Sequence, residues 1–345
     1  MARFALRAGF TLAATALALA LLEVGLRLVG FSYELAATRV EFGWPDPPSI
    51  EARYRSDPDL FWVPKDYAQK LERLASQRPQ LVFLGDSCTE FGFYPEFFLE
   101  RVRQAHPDLE IVGEELGTGG WSSYQGVRQM ERDVVALRPR AVTVYFGWND
   151  HWIGFGVRDD EINALRRSPL QRVGAERVAQ LVFQARLGLR ARLQRDPPRR
   201  VPPDDFRSNL AEIARLARSR DIVPVLVTAP TSHEWGREPK YLERRWLRDL
   251  SRLVPLHQEY VQIVREVAAE EDAVLCDLAE RFEALPRPDL RHRYFQTDGM
   301  HLRPDGDAKL AEFLYECFQA EPALHDIWNA QVRSAASKDH APIGR

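Results

Sequence analysis

The amino-acid sequence predicts an α/β fold, a five-stranded parallel sheet sandwiched by helices, on two observations. The first is a series of five short β-branched or apolar runs, at 80–85 (QLVFLG), 109–114 (LEIVGE), 141–147 (AVTVYFG), 222–228 (IVPVLVT) and 272–277 (DAVLCD). Continuous apolar runs of this kind mark strands buried on both faces. The second is helical periodicity between and after them: 123–137, 206–219 with apolar side chains at 206, 210, 213 and 216, 257–270, and 304–319 behind the last run. Apolar positions three and four apart form one stripe on a helix. Strand and helix in alternation require crossover connections, so the strands run parallel with helices over the sheet.

In chain order, residues 8–22 (AGFTLAATALALALL) carry no charge and come after Arg3 and Arg7. As a helix that stretch is about 22 Å long, short of the roughly 30 Å of a bilayer core. Continuation to Phe31 passes Glu23 and Arg27, four apart, where the two charges pair or reach toward the interface. Residues 1–31 read either as an uncleaved membrane anchor or as a cleaved signal peptide, and both readings export the remainder of the chain. Residues 32–77, rich in Pro and aromatics (Trp44, Pro45, Pro47, Pro48, Trp62, Pro64), read as an extended lead-in arm ending in a helix near 66–77. The connection 151–205 is far longer than the others and holds an amphipathic stretch near 174–194, then Pro197, Pro198, Pro202 and Pro203. Insertions of that size tend to be lids or binding loops. The tail, 323–345, is polar and expected to fray.

Forty-seven basic and fifty acidic residues over 345 positions, with 45% apolar residues, exclude a disordered chain and a multi-span membrane protein. The basic residues are mostly Arg, with Lys only at 65, 70, 240, 309 and 338, and they interleave with acids. No nucleic-acid partner is expected from that pattern. The three cysteines, Cys88, Cys276 and Cys317, are too few and too scattered for a zinc motif. They allow one bridge at most, and the expectation for all three is a small buried apolar side chain.

Ligands of parallel sheets sit outside the carboxyl ends of the strands, so the polar residues after each run matter most. Gly85-Asp86-Ser87-Cys88 comes after the first run, where Ser87 serves either as a helix cap or as a hydroxyl presented to solvent. Gly117-Thr118-Gly119-Gly120-Trp121-Ser122 comes after the second, glycines that turn the backbone sharply or bring it close to a ligand. Gly147-Trp148-Asn149-Asp150 comes after the third, with a carboxamide able to point into the same crevice. Downstream, Asp298 and His301 are three apart, a spacing at which a carboxylate accepts from one ring nitrogen and leaves the other free. The same pair could ligate a metal, but no third ligand set accompanies it, and no metal or cofactor is expected. Each block is weak alone; four blocks at one end of one sheet are not a coincidence. His151 and His233 are either loop histidines or groups that orient a substrate. Trp121 and Trp148 either stack on a sugar ring or acyl chain or fill the core.

In order and approximate spacing, Gly85-Asp86-Ser87, Gly117-x-x-Gly120, Gly147-x-Asn149-Asp150 and Asp298-x-x-His301 resemble the four signature blocks of the SGNH (GDSL-type) hydrolase superfamily. The resemblance covers about 78–320 and implies a flavodoxin-like three-layer α/β/α domain over 78–322. It implies Ser87 as nucleophile, His301 as base and Asp298 as its partner, with the Ser87 and Gly120 N–H groups and the Asn149 side chain as oxyanion donors. Glu115 stands where many members carry Asn. A serine hydroxyl becomes a useful nucleophile when a neighbouring imidazole takes its proton. The expectation is a serine esterase acting through an acyl-serine. An O-acyltransferase for envelope or secreted polysaccharide uses the same residues, and a non-catalytic binding module on the same fold is a further alternative. The expected partners are a small-molecule or polysaccharide-borne ester and the membrane.

Overall fold

A computed structural model describes residues 2–32, 52–153, 157–166, 176–194, 197–243, 247–325 and 327. Helix α1 (Ala2–Leu28) includes Gly9–Leu28, a span long and apolar enough to cross a membrane and unburied by the rest of the protein. The expected extended arm is replaced, over its described part, by a packed hairpin in which β1 (Tyr54–Asp57) runs antiparallel to β2 (Phe61–Pro64). Its aromatic content is the reason: Tyr54, Phe61 and Trp62 are all buried. A buried indole needs an acceptor for its one donor. Trp62 Nε1 donates to the Gly119 carbonyl and Trp121 Nε1 donates back to the Trp62 carbonyl, both at 2.9 Å. Residues 33–51 of the arm lie outside the described residues. Helix α2 (Tyr67–Gln77) comes next, where the sequence places it.

The sheet begins with β3 (Leu81–Gly85), whose five residues are all buried. A single turn α3 (Ser87–Glu90) and the helix α4 (Tyr94–Ala105) lead to β4 (Gly113–Glu115). Helix α5 (Ser123–Gln129) starts on a capping box between Ser122 and Gln125 and runs on through a π-helical turn toward Leu137. Next come β5 (Ala141–Tyr145), the insertion helices α6 (Asp159–Arg166) and α7 (Arg177–Leu193), α8 (Pro203–Arg218) and β6 (Val223–Val227). The domain closes with α9 (Leu253–Glu270), β7 (Val274–Cys276), α10 (Leu278–Glu283) and α11 (Pro304–Ala320). All strand pairs of the sheet are parallel, in the order β4-β3-β5-β6-β7. Helices flank it in two groups, α4 packing with α11, and α8 with α5 and α9.

Two expectations shift. The second run pairs only from Gly113, because Val112 is first tied to Gln80, whose amide N–H reaches the Val112 carbonyl (2.8 Å) and whose side chain accepts the Val112 N–H (2.7 Å). A short, half-exposed edge strand results. The cysteines are not all isolated apolar side chains: α11 lies against the end of β7, and Cys276 and Cys317 form a disulfide 41 residues apart. Closing a loop of that size stabilises the fold by about 4 kcal/mol in the chain-entropy account. Cys88 is free and buried, as expected.

Candidate active site

In sequence order the sheet reads 2-1-3-4-5, so the winding reverses between β3 and β5, and a crevice opens at their carboxyl ends. At the end of β3, Gly85 has no room for a side chain, since a Cβ there would lie 2.1 Å from Thr89 Oγ1 and 2.9 Å from the Tyr145 carbonyl oxygen. Asp86, not Ser87, is the cap: its carboxylate accepts the Cys88 N–H at 2.9 Å. Ser87 is therefore spared for another task. Its Oγ lies 2.8 Å from His301 Nε2, and His301 Nδ1 lies 2.7 Å from Asp298 Oδ2. Asp298 Oδ1 also accepts the Met300 and His301 N–H groups at 2.9 Å, which fixes the carboxylate relative to the ring. With Nδ1 donating to a carboxylate, neutral His301 has Nε2 free to accept a proton from Ser87. Burial disfavours charge on His301, but the hydrogen bond to Asp298 and its charge outweigh burial and hold the imidazole above its ordinary pKa.

The glycine loop faces that pair. Gly120 has φ of 78°, the left-handed region that favours glycine, and its N–H makes no hydrogen bond among the described residues. The loop is pinned on each side. Glu90 accepts the Gly119 N–H, and Glu115 accepts the Gly117 N–H while pairing with Lys70. Glu115 thus anchors the loop from the position where many members of the superfamily that the sequence resembles carry Asn. Burial lifts its pKa to about 7 against the opposing charge of Lys70. Arg200 Nη1 donates to the Gly120 carbonyl at 2.7 Å, and Arg200 is itself in a buried ion pair with Asp159 at 2.8 Å. Asp159 also accepts the Ser122 hydroxyl (2.7 Å). Sequence reasoning missed Asp159 and Arg200. Their only signal was position, one at each end of the insertion.

Asn149 lines the crevice with its Nδ2 placed 2.9 Å from the Trp121 carbonyl and 3.2 Å from Asp86 Oδ2. Asp150 holds this loop in place by accepting the Ser123 N–H (2.9 Å) and the Gly147 N–H (3.1 Å). The crevice has a volume of about 420 Å³, and Phe91, Trp148, Trp152, Tyr241 and Leu242 join Ser87, Gly120, Asn149 and His301 along it. Phe91, Trp152, Tyr241 and Leu242 carried no motif, so nothing in the sequence marked them.

The four secondary candidates separate. Trp148 lines the crevice, stacked on His257 at 4.0 Å. Trp121 is 0% exposed and fills the core under the hairpin instead of offering a face to a substrate. His151 is also 0% exposed, packed edge-on against Trp152 at 4.2 Å, and does not reach the crevice. It is not a surface loop histidine either. His233 lies behind the Asp298–His301 turn, where its Nε2 donates to the Asp298 carbonyl at 2.7 Å and its ring fills the space a Gly299 Cβ would need. It braces that turn and lines a neighbouring cavity.

His151, His233 and His257 are all buried, and burial depresses all three, His257 to about 3. The charges nearest them are Arg199 beside His151, and Asp298 and Glu238 beside His233. Below pH 6.5 the unfolded chain protonates these rings more readily than the native fold does. His257, neutral in the native fold down to about pH 3, then costs about 1.4 kcal/mol of stability per pH unit. His301, raised, is protonated in both states below pH 6.5 and adds no slope there. The carboxyls of Asp86, Glu115, Asp150 and Asp307, raised by burial to about 6–7, take up protons first in the native fold and work in the opposite direction. Denaturant unfolding between pH 6.5 and 4 is expected to show the parent losing stability relative to His257→Phe, by about 1.4 kcal/mol per pH unit. Equal slopes in the two proteins would contradict a neutral, buried His257.

A family model described as the GDSL-like lipase/acylhydrolase family matches residues 83–309. None of the curated proteins compared matches the chain. Among solved structures, the chain is similar to a lipase/acylhydrolase from Enterococcus faecalis, with 17% identity over 69% of this chain and 94% of that one and a TM-score of 0.45. It is similar to a GDSL-like lipase from Bacteroides thetaiotaomicron VPI-5482, with 18% identity over 74% and 98% and a TM-score of 0.45. An acetylxylan esterase from Geobacillus stearothermophilus gives 18% identity over 69% and 92% with a TM-score of 0.44.

Proposed function

The chain belongs to the GDSL-like lipase/acylhydrolase family, and from that premise we propose that it is a serine esterase cleaving short-chain carboxylic esters through an acyl-serine on Ser87. The observation that carries the reading is the 2.8 Å approach of Ser87 Oγ to His301 Nε2 inside the crevice. In the proposed sequence, Ser87 Oγ attacks the ester carbonyl as its proton passes to His301 Nε2, and Asp298 stabilises the imidazolium. Negative charge then develops on the carbonyl oxygen. Three donors converge on it: the Gly120 N–H, the Ser87 N–H, which at the first position of a helix has no intrahelical acceptor, and the Asn149 amide after release of its longer contact to Asp86. His301 returns the proton to the departing alcohol, and water repeats the cycle on the acyl-enzyme.

The crevice lies at the small end of small-molecule sites and must hold both acyl group and alcohol. We therefore assign it a short acyl chain, such as an O-acetyl group borne by a polysaccharide. The same groups serve acyl transfer when a sugar hydroxyl reaches the acyl-enzyme before water does. Placement outside the cytoplasm, anchored by α1, is supported by the Cys276–Cys317 disulfide, since such bonds persist in oxidising compartments.

A series of p-nitrophenyl esters tests the reading. The highest kcat/KM is expected between acetate and butyrate, with a decline toward octanoate and decanoate. A preference for the long chains would overturn the short-acyl assignment, and no hydrolysis of any ester would overturn the esterase. Product analysis with acetylated donor and oligosaccharide acceptors separates hydrolysis from transfer.

A further inference from the structure

We propose that helix α7, inside the insertion, lies along an anionic membrane surface beside α1 and fixes the height of the crevice above the bilayer. The inference rests on the reading of α1 as an anchor. Three independent observations carry it.

Charge comes first. The whole chain has a net charge of −3, yet α7 carries Arg177, Arg186, Arg190 and Arg192 and no acid, with Arg190 paired to Glu161 of α6 at 3.0 Å. The even mixing of Arg with acids expected from composition fails in this one stretch. Basic helices with an apolar face are attracted to anionic headgroups, by about 1 kcal/mol for each Arg near the surface. The second observation is the exposed face of α7. Val182, Leu189 and Leu193 are 45%, 57% and 72% exposed, and with Arg186 they recur at i, i+4, i+7 and i+11, a single stripe along the helix. A helix of this pattern sinks its apolar face about 5–10 Å into the headgroup boundary.

Continuity with α1 is the third. The first turn of α7 docks on the anchor, where the Val178 N–H donates to Glu23 Oε2 at 2.8 Å and Glu23 pairs with Arg27 at 2.7 Å. Glu23 sits inside the apolar span Gly9–Leu28, five residues from its end. At helical rise that is about 8 Å below the end of the span, so α7 starts at the depth an interfacial helix occupies. Its far end lies beside the loop that leads to the crevice: the Gln194 carbonyl accepts from Arg248 at 2.8 Å, and the neighbouring Leu247 N–H donates to the carbonyl of Leu242, a crevice residue. One helix thus runs from the anchor to a loop next to the site.

The full chain is reconstituted into vesicles of phosphatidylcholine alone or mixed equally with phosphatidylglycerol. A polarity-sensitive fluorophore is placed on Leu189→Cys or, as a control for the anchor, on Leu17→Cys; the native cysteines are buried or bridged. Both probes are expected to be blue-shifted and quenched by spin-labelled lipid, the Leu189→Cys probe more strongly in anionic vesicles. Arg186→Gln is expected to lower its immersed-to-free ratio about fivefold there while leaving the Leu17→Cys probe unchanged. A water-like Leu189→Cys probe beside an embedded Leu17→Cys probe overturns the inference and leaves the anchor standing. A water-like Leu17→Cys probe overturns the anchor reading and the inference with it. A Leu189→Cys probe that responds to a soluble polyanion but not to anionic vesicles assigns the basic helix to a polyanionic partner and also overturns the membrane surface.

Discussion

Ser87→Ala is expected to reduce turnover of a short-chain ester on the order of a millionfold, the loss seen when the nucleophile of a serine hydrolase triad is removed. The residual rate should stay above the uncatalysed one, because the oxyanion donors and substrate contacts remain. The substitution is clean. Asp86 supplies the cap of α3 through the Cys88 N–H, and Ser87 Oγ is engaged with His301, so its deletion removes the reactive atom without opening the helix start. Unfolding midpoints of variant and parent should agree. A Ser87→Ala protein that keeps a tenth of the parental turnover would remove Ser87 from the chemistry.

Asn149→Ala is the second large effect, with an expected loss of about a hundredfold to a thousandfold in kcat, or about 2.7–4 kcal/mol of transition-state stabilisation. Its amide hydrogens are directed at the Trp121 carbonyl and at Asp86, the latter at the longer distance of 3.2 Å. The proposed mechanism turns that second hydrogen toward the oxyanion, an interaction made only as charge develops. The loss should therefore fall on kcat with KM little changed. The truncation also leaves two buried acceptors short of a donor, which costs about 1–3 kcal/mol of stability. Activity is accordingly read at a temperature where the variant remains folded. A kcat within a few fold of the parent would contradict the oxyanion role of Asn149 and leave the work to the two backbone N–H groups.

The features legible in the sequence are those written in local patterns. The runs containing Leu81–Gly85 and Ala141–Tyr145 are almost entirely apolar because both faces of the sheet are covered, and the structure places a five-residue strand in each. The four blocks were readable because turn chemistry after a strand restricts residue type, as the overlap that any side chain at Gly85 would create illustrates. What escaped is what depends on tertiary partners. The hairpin at Tyr54–Pro64 is stabilised by indole bonds to residues nearly sixty positions away. The pairing of Cys276 with Cys317 depends on where α11 docks. Asp159 and Arg200 are buried together because the two ends of the insertion close on each other and grip the Gly120 carbonyl, a geometry that neither residue's neighbours encode. Trp121, beside the glycine loop, reads from sequence as either a ligand platform or a core side chain, and burial beneath the hairpin decides for the core.

The central claim is a nucleophilic Ser87 activated by His301, and covalent capture tests it most directly. A fluorophosphonate, whose phosphorus is attacked by an activated serine oxygen with loss of fluoride, is incubated with the full chain, and the adduct is located by peptide mass spectrometry. The account predicts one adduct, on the peptide containing Ser87, absent in Ser87→Ala and strongly slowed in His301→Ala. Labelling of the folded parent at another residue, or none at all, would contradict it.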